Sequence, residues 1–480
     1  MLRLHDTLTG STRDFEPLSP PSAGVYVCGP TVYGDSHLGH AKSYVSFDVL
    51  VRFMRHEGYR VRYVQNITDV GHLSENSETG DDKLQRQARL ERLEPMEIAE
   101  KYTRSYFEDM DRLGNLRPDI SPRASGHIPE QIELVRALIE KGHAYQAGGN
   151  VYFSVRSFPG YGRLSGRRPD DLVAGARVEV QADKRDPLDF ALWKEADAGH
   201  ILKWRSPWGW GFPGWHLECS AMAMRYLGET IDIHGGGLEN VFPHHESEIA
   251  QSEAATGRQF ARFWLHNNMV TIDGQKMGKS LGNARSLKEM FERYEPMTIR
   301  LYILRSHYRS PLDFSDEGLS SAASALGRIR DLASRLGPSD PGSPPPGSAL
   351  QFVEEAATAF TGRLSDDLDT PGAVAVLFEY VRKCNQALET GVEPGQRAAM
   401  SGGLSLMACE LLGLSARAAS GSSDTEPLLL GLLSEYRSML RERKLFAEAD
   451  GMRDALAAGG YSVKDMPGGR SLIERISRAL

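Results

Sequence analysis

The sequence predicts an α/β protein in which a parallel sheet is split by an inserted subdomain and followed by helices. The first observation is a strand, turn, helix and strand in that order near the N-terminus, the pattern of a βαβ unit. The second is the stretch 144–208, where short strand-like runs alternate with turns. The third is a Pro/Gly/Ser-rich linker at 337–348, beyond which apolar residues recur at helical spacing.

The βαβ unit surrounds a turn at 28–40. Residues 24–27 are apolar and β-branched, as expected of a buried strand, and 60–67 reads as a second strand. Between them, apolar residues recur at helical spacing up to Gly58. The turn therefore joins the carboxyl end of a strand to a helix N-terminus, a place where backbone N–H groups and the helix dipole commonly hold phosphates.

Later elements are predicted from the same periodicities. We expect a helix from Pro243 that carries His244 and Glu248, because proline is favoured at a helix start. The remaining expectations are a charged helical stretch at 83–113, a helix at 128–141, a strand at 231–234 that runs into Gly235, Gly236 and Gly237, a strand at 263–272, helices through 287–336 and 352–412, and a helix at 427–443.

These elements divide the chain into a series of segments. We expect, in order, a first half of the sheet domain (1–120), an insertion (121–210), a second half (211–285), a helical region (286–336), a linker (337–348), a helical bundle (349–415), a second linker (416–426) and a small final α+β module (427–480).

Length and composition exclude several classes of protein. A chain of 480 residues with a net charge of −8 has ample core for two to four domains and does not resemble a protein that coats nucleic acid non-specifically, although a local basic face remains compatible with this charge. The sequence contains no apolar run of about eighteen residues and no signal-peptide core, so neither a membrane span nor a membrane partner is expected. Four cysteines do not make a disulfide framework and favour a reducing cytoplasm.

The cysteines fall into two pairs. Cys384 and Cys409 lie in helical, apolar contexts and read as buried small side chains, whereas Cys28 and Cys219 lie among Gly, Pro, His and Glu. His244 and Glu248 are four residues apart and share one helix face. A Cys₂HisGlu set is a credible zinc shell, but His and Glu on a helix are usually plain surface, and on the residues alone both interpretations stay open.

Two further motifs suit phosphate chemistry. His37 and His40 would stand at the start of the first helix, where Gly39 allows close backbone approach to a ligand. Lys276 and Lys279 place two cations on a Gly-containing turn that could close over phosphates and stabilise a leaving pyrophosphate. Polar helix caps and a solvated basic loop are the ordinary alternatives for these two motifs.

Taken together and in order, the motifs resemble those of the cysteinyl-tRNA synthetases, a family of class I aminoacyl-tRNA synthetases. Residues 37–40 (HLGH) match the HIGH motif and 276–280 (KMGKS) match KMSKS. The stretches 214–222 (GWHLECSAM), 234–237 (HGGG) and 242–248 (FPHHESE) match segments typical of the cysteine-specific branch.

The resemblance implies an architecture and a set of cofactors. It implies a Rossmann-type catalytic core split by a connective insertion, a stem-contact region at 286–336, a DALR-like bundle at 349–415 and an anticodon-binding module at 427–480. It also implies one Zn²⁺ per chain, held by Cys28, Cys219, His244 and Glu248, and Mg²⁺ that enters with ATP.

The resemblance further implies cysteine, ATP and tRNA(Cys) as partners of a cytoplasmic monomer. His37 and His40 would contact the triphosphate and Lys276 and Lys279 the pyrophosphate. The other implied contacts are Gly39, His234, Gly235, Gly236, Gly237 and Lys279 for ATP, and Thr68 and Trp215 for the amino acid.

The chain departs from the family pattern at two motifs. Gly278 replaces the middle serine of KMSKS, and Glu239-Asn240 stands where the family usually has Asp-Leu. Two rival functions remain: a related ligase that joins cysteine to an amino sugar in mycothiol synthesis, and a non-catalytic RNA-binding paralogue. The modules beyond Gly337 favour a tRNA acceptor over a sugar, and the retained histidines and lysines disfavour the paralogue.

Overall fold

The computed structural model describes residues 1–71, 82–168, 170, 183–272, 274–277, 285–337, 350–415, 425–458, 461–465 and 471–475. The chain forms two compact units, Met1–Ala416 and Arg417–Leu480. Lys279 and Gly278 lie outside the described residues.

Strands occur in both units. In chain order they are β1 Arg3–Asp6, β2 Ser11–Asp14, β3 Ser22–Val27, β4 Arg60–Gln65, β5 Ala144–Ala147, β6 Asn150–Phe153, β7 Phe190–Glu195, β8 Trp204–Ser206, β9 Gly209–Pro213, β10 Ile231–Gly237, β11 Ala261–Asn267, β12 Val270–Ile272, β13 Gln275–Lys276, β14 Leu312–Phe314, β15 Tyr461–Asp465 and β16 Ser471–Arg475.

The α-helices cover most of the rest. In chain order they are α1 Leu38–His56, α2 Lys83–Glu91, α3 Pro95–Arg112, α4 Ile128–Glu140, α5 Leu217–Leu227, α6 Glu246–Thr256, α7 Leu287–Arg293, α8 Pro296–Leu304, α9 Asp316–Leu336, α10 Gln351–Ser365, α11 Thr370–Thr390, α12 Pro394–Leu404, α13 Thr425–Glu442 and α14 Phe446–Ala458. Among these described helices, none combines the length and apolar character that a membrane crossing requires.

The central sheet is parallel and has the order β4-β3-β10-β11. From β3 the chain crosses through α1 to β4 on one side, and from β10 it crosses through α6 to β11 on the other. The strand order therefore reverses between β3 and β10, and the crevice beyond their carboxyl ends is the expected ligand position in such a sheet. The predicted split α/β core is confirmed.

Helix α1 packs on one face of this sheet because one side of it is almost entirely apolar. Val45, Val49, Leu50 and Phe53 are fully buried in a core that also receives α8 and α9. A separate apolar cluster covers the other face and includes Trp264 and Met222 beside Cys28 and Cys219.

The insertion forms a sheet of its own in the order β5-β6-β7-β9-β8. It packs through Phe153, Leu192 and Trp193 against α4. Strand β9 ends at Pro213, two residues before Trp215, so the insertion delivers the chain directly to the edge of the crevice.

Four predicted elements differ from the structure. The helix at 83–113 is two helices, because Arg92 takes a left-handed conformation (φ 58°) and Pro95 starts a new helix. The predicted strand at 263–272 is also two strands: β11 lies in the central sheet, whereas β12 pairs with β13 and β14. Strand β14 also interrupts the helical region after 287.

The fourth difference concerns the helix expected from Pro243. Regular helix α6 begins only at Glu246, because Phe242 has extended dihedrals (φ −140°, ψ 132°) that kink the chain within Val241–His245, a stretch we call the π-helical turn. His244 therefore lies on this turn rather than on the helix. The four-residue spacing still brings His244 Nε2 to 3.1 Å from Glu248 Oε1.

Candidate active site

The N-terminus of α1 is capped by its own histidines. His37 Nδ1 accepts hydrogen bonds from the backbone N–H groups of Gly39 (3.1 Å) and His40 (3.4 Å), while His40 Nδ1 accepts from the backbone N–H of His37 (3.3 Å). The two rings stack with centroids 3.9 Å apart. A Cβ on Gly39 would stand 2.9 Å from His37 Cε1, so this position requires glycine to keep the cap.

The segment after the lysine motif is attached to this cap. The backbone N–H of Leu38 donates to Arg285 O (3.1 Å) and that of Leu287 donates to Ser36 O (2.8 Å). Lys276, the first residue of the motif, is exposed on β13. The backbone thus holds the start of α7 against the N-terminus of α1.

Four buried side chains converge beside the cap. Cys28 follows β3, Cys219 lies on α5, His244 lies on the π-helical turn and Glu248 lies on α6. Their ligand atoms all lie within 4.8 Å of one another. The Sγ atoms of Cys28 and Cys219 are 3.8 Å apart, and Cys28 Sγ is 3.8 Å from Glu248 Oε1.

These distances fit a tetrahedral ion. With Zn–S bonds of about 2.3 Å, two thiolates in a tetrahedral shell lie about 3.8 Å apart, which matches the two cysteines. Two thiolates with one imidazole and one carboxylate select a borderline-soft ion such as zinc over Mg²⁺ or Ca²⁺. The cluster can hold a metal ion.

A second layer of histidines surrounds the cluster. His234 Nε2 lies 2.7 Å from Glu248 Oε2, and His216 Nδ1 lies 2.9 Å from His244 Nδ1. His245 Nε2 lies 3.2 Å from Cys28 Sγ, and its Nδ1 lies 2.7 Å from His266 Nε2. Cys28, His234, His245 and Glu248 form an alternative four-donor group, so an ion has two overlapping sets of ligands available.

Burial sets the protonation of this region in the absence of an ion. Desolvation raises the pKa of Cys28 to about 12 and also raises the pKa values of Cys219 and Glu248. Desolvation lowers the pKa values of His216 and His266 to about 3. An ion must therefore displace protons from the thiols, whereas the imidazoles of His216 and His266 are already neutral near pH 7.

A cavity of about 220 Å³ opens between the cluster and the cap. Its lining includes Cys28, Cys219 and His244 of the cluster and His37 and His40 of the cap. The predicted residues Thr68, Trp215, Gly39 and Gly237 also line it. The Trp215 ring stacks on the ring of His244, one of the candidate metal-binding residues, with centroids 4.4 Å apart. These two rings form one part of the cavity wall.

Three predicted nucleotide contacts are not among the described lining residues. His234 is fully buried under the cavity against Glu248. Gly235 and Gly236 are buried where a Cβ would stand 2.4 Å from Phe47 and 2.8 Å from His245 respectively. These two glycines permit close packing of α1 and the π-helical turn on β10.

Sequence reasoning missed other residues around the cavity. Asn66 and Glu218 line it together with Thr68. His245 is a neighbour of His244 in the sequence, and this His-His pair was a signal that either ring could face the cysteines. Burial raises the pKa of Glu218 well above its ordinary value, because this carboxyl is almost completely removed from solvent.

A split parallel-sheet core with a histidine-capped helix at its switch point defines the class I aminoacyl-tRNA synthetases. The family model described as the catalytic domain of class I (C) tRNA synthetases matches residues 14–324, and the DALR domain matches 359–416. A cysteine–tRNA ligase of Chlorobium luteolum is 54% identical over 95% of this chain and 96% of its own length. One of Thermus thermophilus is 50% identical over 97% of both chains. The chain belongs to the cysteine–tRNA ligase family.

Solved structures of other class I synthetases share the fold. The Mycobacterium tuberculosis methionyl-tRNA synthetase in complex with methionyl-adenylate aligns with a TM-score of 0.59 and 15% identity, over 84% of this chain and 96% of that one. The leucyl enzyme of Agrobacterium radiobacter, solved with tRNA, aligns with a TM-score of 0.57 and 13% identity, over 85% of this chain and 86% of that one.

Proposed function

We propose that this chain attaches cysteine to tRNA(Cys) in an ATP-dependent reaction that proceeds through a cysteinyl-adenylate. Family membership supports this activity. The observation that carries it is that one cavity is lined both by Cys28, Cys219 and His244 and by His37 and His40. A thiol-recognising group and a phosphate-binding group that share one cavity suit the activation of cysteine.

In the first step, the carboxylate of cysteine attacks the α-phosphorus of ATP, the bond to the β-phosphate breaks, and pyrophosphate leaves. The nucleophile is already ionised, so no general base is required. His37 and His40 contact the triphosphate, Lys276 and Lys279 hold the pyrophosphate, and Mg²⁺ enters with ATP. Positioned charge provides most of the stabilisation.

Cys28, Cys219, His244 and Glu248 hold one Zn²⁺, as their spacing and donor types support. When bound, this ion supplies a soft ligand position for the substrate thiolate that a serine hydroxyl fills poorly. A hydrophobic pocket alone rejects so close an isostere weakly. Selection at the metal therefore makes a separate editing site unnecessary.

In the second step, the 2′-hydroxyl of the terminal adenosine attacks the carbonyl carbon of the adenylate and AMP leaves. We assign acceptor-stem contacts to the helical region 286–336, bundle packing to 349–415 and anticodon contacts to 427–480. Thr68 and Trp215 contact the amino acid, Gly39 and Gly237 border the ATP side, and His234, Gly235 and Gly236 support that side through their packing against the residues around it. The enzyme is proposed to act as a cytoplasmic monomer.

Two alternatives make different predictions. A cysteine:amino-sugar ligase would share the metal and ATP sites, but a sugar acceptor does not require the bundle and final module. A non-catalytic RNA-binding paralogue would not require the histidine cap that this chain retains.

The test is aminoacylation of tRNA(Cys) by purified protein with ATP and cysteine. We expect cysteine-dependent pyrophosphate exchange and tRNA charging, with serine failing in both. Exchange without charging would support the sugar ligase, and no exchange would contradict both enzymatic functions.

A further inference from the structure

The cavity contains a carboxyl group to which the proposed reaction has not yet assigned a role. Glu218 is only 2% exposed and lines the cavity next to Cys219. An acidic residue in the first turn of a helix such as α5 is ordinarily explained by the helix dipole. That explanation applies to a solvated side chain, whereas this carboxyl is buried, so it requires a partner.

Only one of the two oxygens of the Glu218 carboxyl has a hydrogen-bond partner among the described residues. Glu218 Oε1 accepts a hydrogen bond from the Thr68 hydroxyl. Glu218 Oε2 is buried and has no hydrogen-bond partner among the described residues. Within the same part of the chain, no lysine or arginine forms an ion pair with this carboxyl. One oxygen of this carboxyl is therefore left to pair with a group that a ligand supplies.

The neighbouring hydrogen bonds leave Thr68 as an acceptor. The backbone N–H of Gly29 donates to Asn66 Oδ1 (2.8 Å), which fixes the orientation of the Asn66 amide. Asn66 Nδ2 then donates to Thr68 Oγ1 (3.1 Å). Since the Thr68 proton goes to Glu218, one lone pair of its oxygen remains for a donor in the cavity.

Cysteine presents three polar groups. In the proposed reaction its thiol goes to the metal cluster and its carboxylate must face the phosphates near His37 and His40. Only the α-ammonium remains, and it is a cationic donor with three N–H groups. Asn66 links this carboxyl to the metal cluster: Cys219 Sγ lies 3.8 Å from Asn66 Oδ1, and the same amide donates to the Thr68 hydroxyl that donates to Glu218.

We infer that Glu218, with Thr68, binds the α-ammonium of the substrate and so restricts it to free α-amino thiol acids. This inference rests on the proposed function and identifies which feature of the substrate, besides sulfur, is recognised. Thiol acids that lack the amine, such as 3-mercaptopropionate, and N-acylated cysteines are excluded, because they would leave the buried carboxyl unpaired.

The test compares Glu218→Gln with Glu239→Gln, since Glu239 is the other carboxylate among the described residues that line the cavity. The amide keeps an acceptor for Thr68 but loses the charge. We measure the KM for cysteine in pyrophosphate exchange, the inhibition constant of 3-mercaptopropionate, and the zinc content. In Glu218→Gln we expect the KM to rise roughly 10- to 100-fold while the inhibition constant and the zinc content stay unchanged.

The inference would be overturned if the ratio of the KM for cysteine to the inhibition constant of 3-mercaptopropionate were unchanged in Glu218→Gln, or if it rose equally in Glu239→Gln. If Glu218→Gln lost zinc and bound cysteine and 3-mercaptopropionate more weakly by the same factor, Glu218 would belong to the metal site instead. If wild type shows no cysteine-dependent exchange, the proposed function fails and this inference fails with it. If Glu218→Gln does not fold, the melting temperature of the zinc-loaded wild type is measured with each ligand instead. Cysteine should raise this temperature more than 3-mercaptopropionate does. Equal increases would refute recognition of the ammonium group.

Discussion

Replacing Arg300 by methionine should strongly destabilise the first unit. Arg300 lies on α8 and is fully buried. Its guanidinium forms an ion pair with Asp48 on α1 and donates to Leu412 O (2.6 Å), Leu113 O (3.0 Å) and Asn115 Oδ1 (2.7 Å). One side chain thus joins the histidine-capped helix, the end of α3 and the end of the helical bundle.

The magnitude follows from the groups left behind. Methionine fills most of the volume, but the two buried carbonyls of Leu113 and Leu412 and the partly buried Asn115 amide lose their donor. Among the described residues, Asp48 keeps Arg52 (2.7 Å) and the backbone N–H of Leu116 (2.7 Å). Breaking a buried pair from one side costs about 3–5 kcal/mol. With an unfolding entropy of about 2.1 cal/mol/K per residue, a unit of 416 residues should lose about 3–6 °C in Tm.

The assay is thermal unfolding followed by circular dichroism, with Arg382→Met as the matched control. Arg382 forms an exposed ion pair with Glu379 on α11, and such pairs contribute little. We expect no measurable change in the control. If Arg300→Met changed the Tm no more than the control does, the view that this guanidinium holds the three elements together would be wrong.

Three further predictions concern the site and its surroundings. Cys219→Ala should lower the affinity for zinc by more than the ~10–100-fold that is typical when a residue hydrogen-bonded to a metal ligand is replaced. Elemental analysis measures the zinc content, and the control Cys409→Ala should retain all of its zinc. Gly39→Ala should slow pyrophosphate exchange at least about tenfold without changing zinc content, because its Cβ displaces the His37 ring; an unimpaired rate would contradict the role of the cap. Burial lowers the pKa of Lys42 to about 7. Between about pH 7 and the ordinary pKa of lysine, the Lys42 side chain therefore binds a proton in the unfolded chain but not in the folded chain. The stability of the folded wild type consequently rises with pH in this range. The stability of Lys42→Met relative to wild type, measured by urea unfolding, should therefore fall between about pH 6 and pH 9, and a pH-independent difference would refute the assignment.

The parts of the structure that sequence could predict are those encoded locally. The alternation of strand and helix periodicity located β3, α1 and β4, and the parallel sheet then placed Cys28 at a carboxyl edge. His244 and Glu248 could be paired because their spacing brings them together even on a π-helical turn.

The parts that sequence could not predict depend on distant contacts. Strand β12 exists because Val270 pairs with Leu312, forty-two positions later, and no local pattern records that register. His245 was missed because its ring faces Cys28 only after the irregular turn at Phe242 redirects the chain. Glu218 was missed because an acid near a helix start has an adequate local explanation, and only its burial removes that explanation.

The four-donor cluster also has a consequence for how the chain folds. Cys28 and Cys219 are 191 positions apart and belong to the two halves of the core that the insertion separates. An ion held by both cysteines would close a loop of that length, and closing such a loop corresponds to a chain entropy on the order of 5 kcal/mol. The same ion would then act as a cross-link between the halves, so that metal depletion would loosen the core itself as well as the cavity.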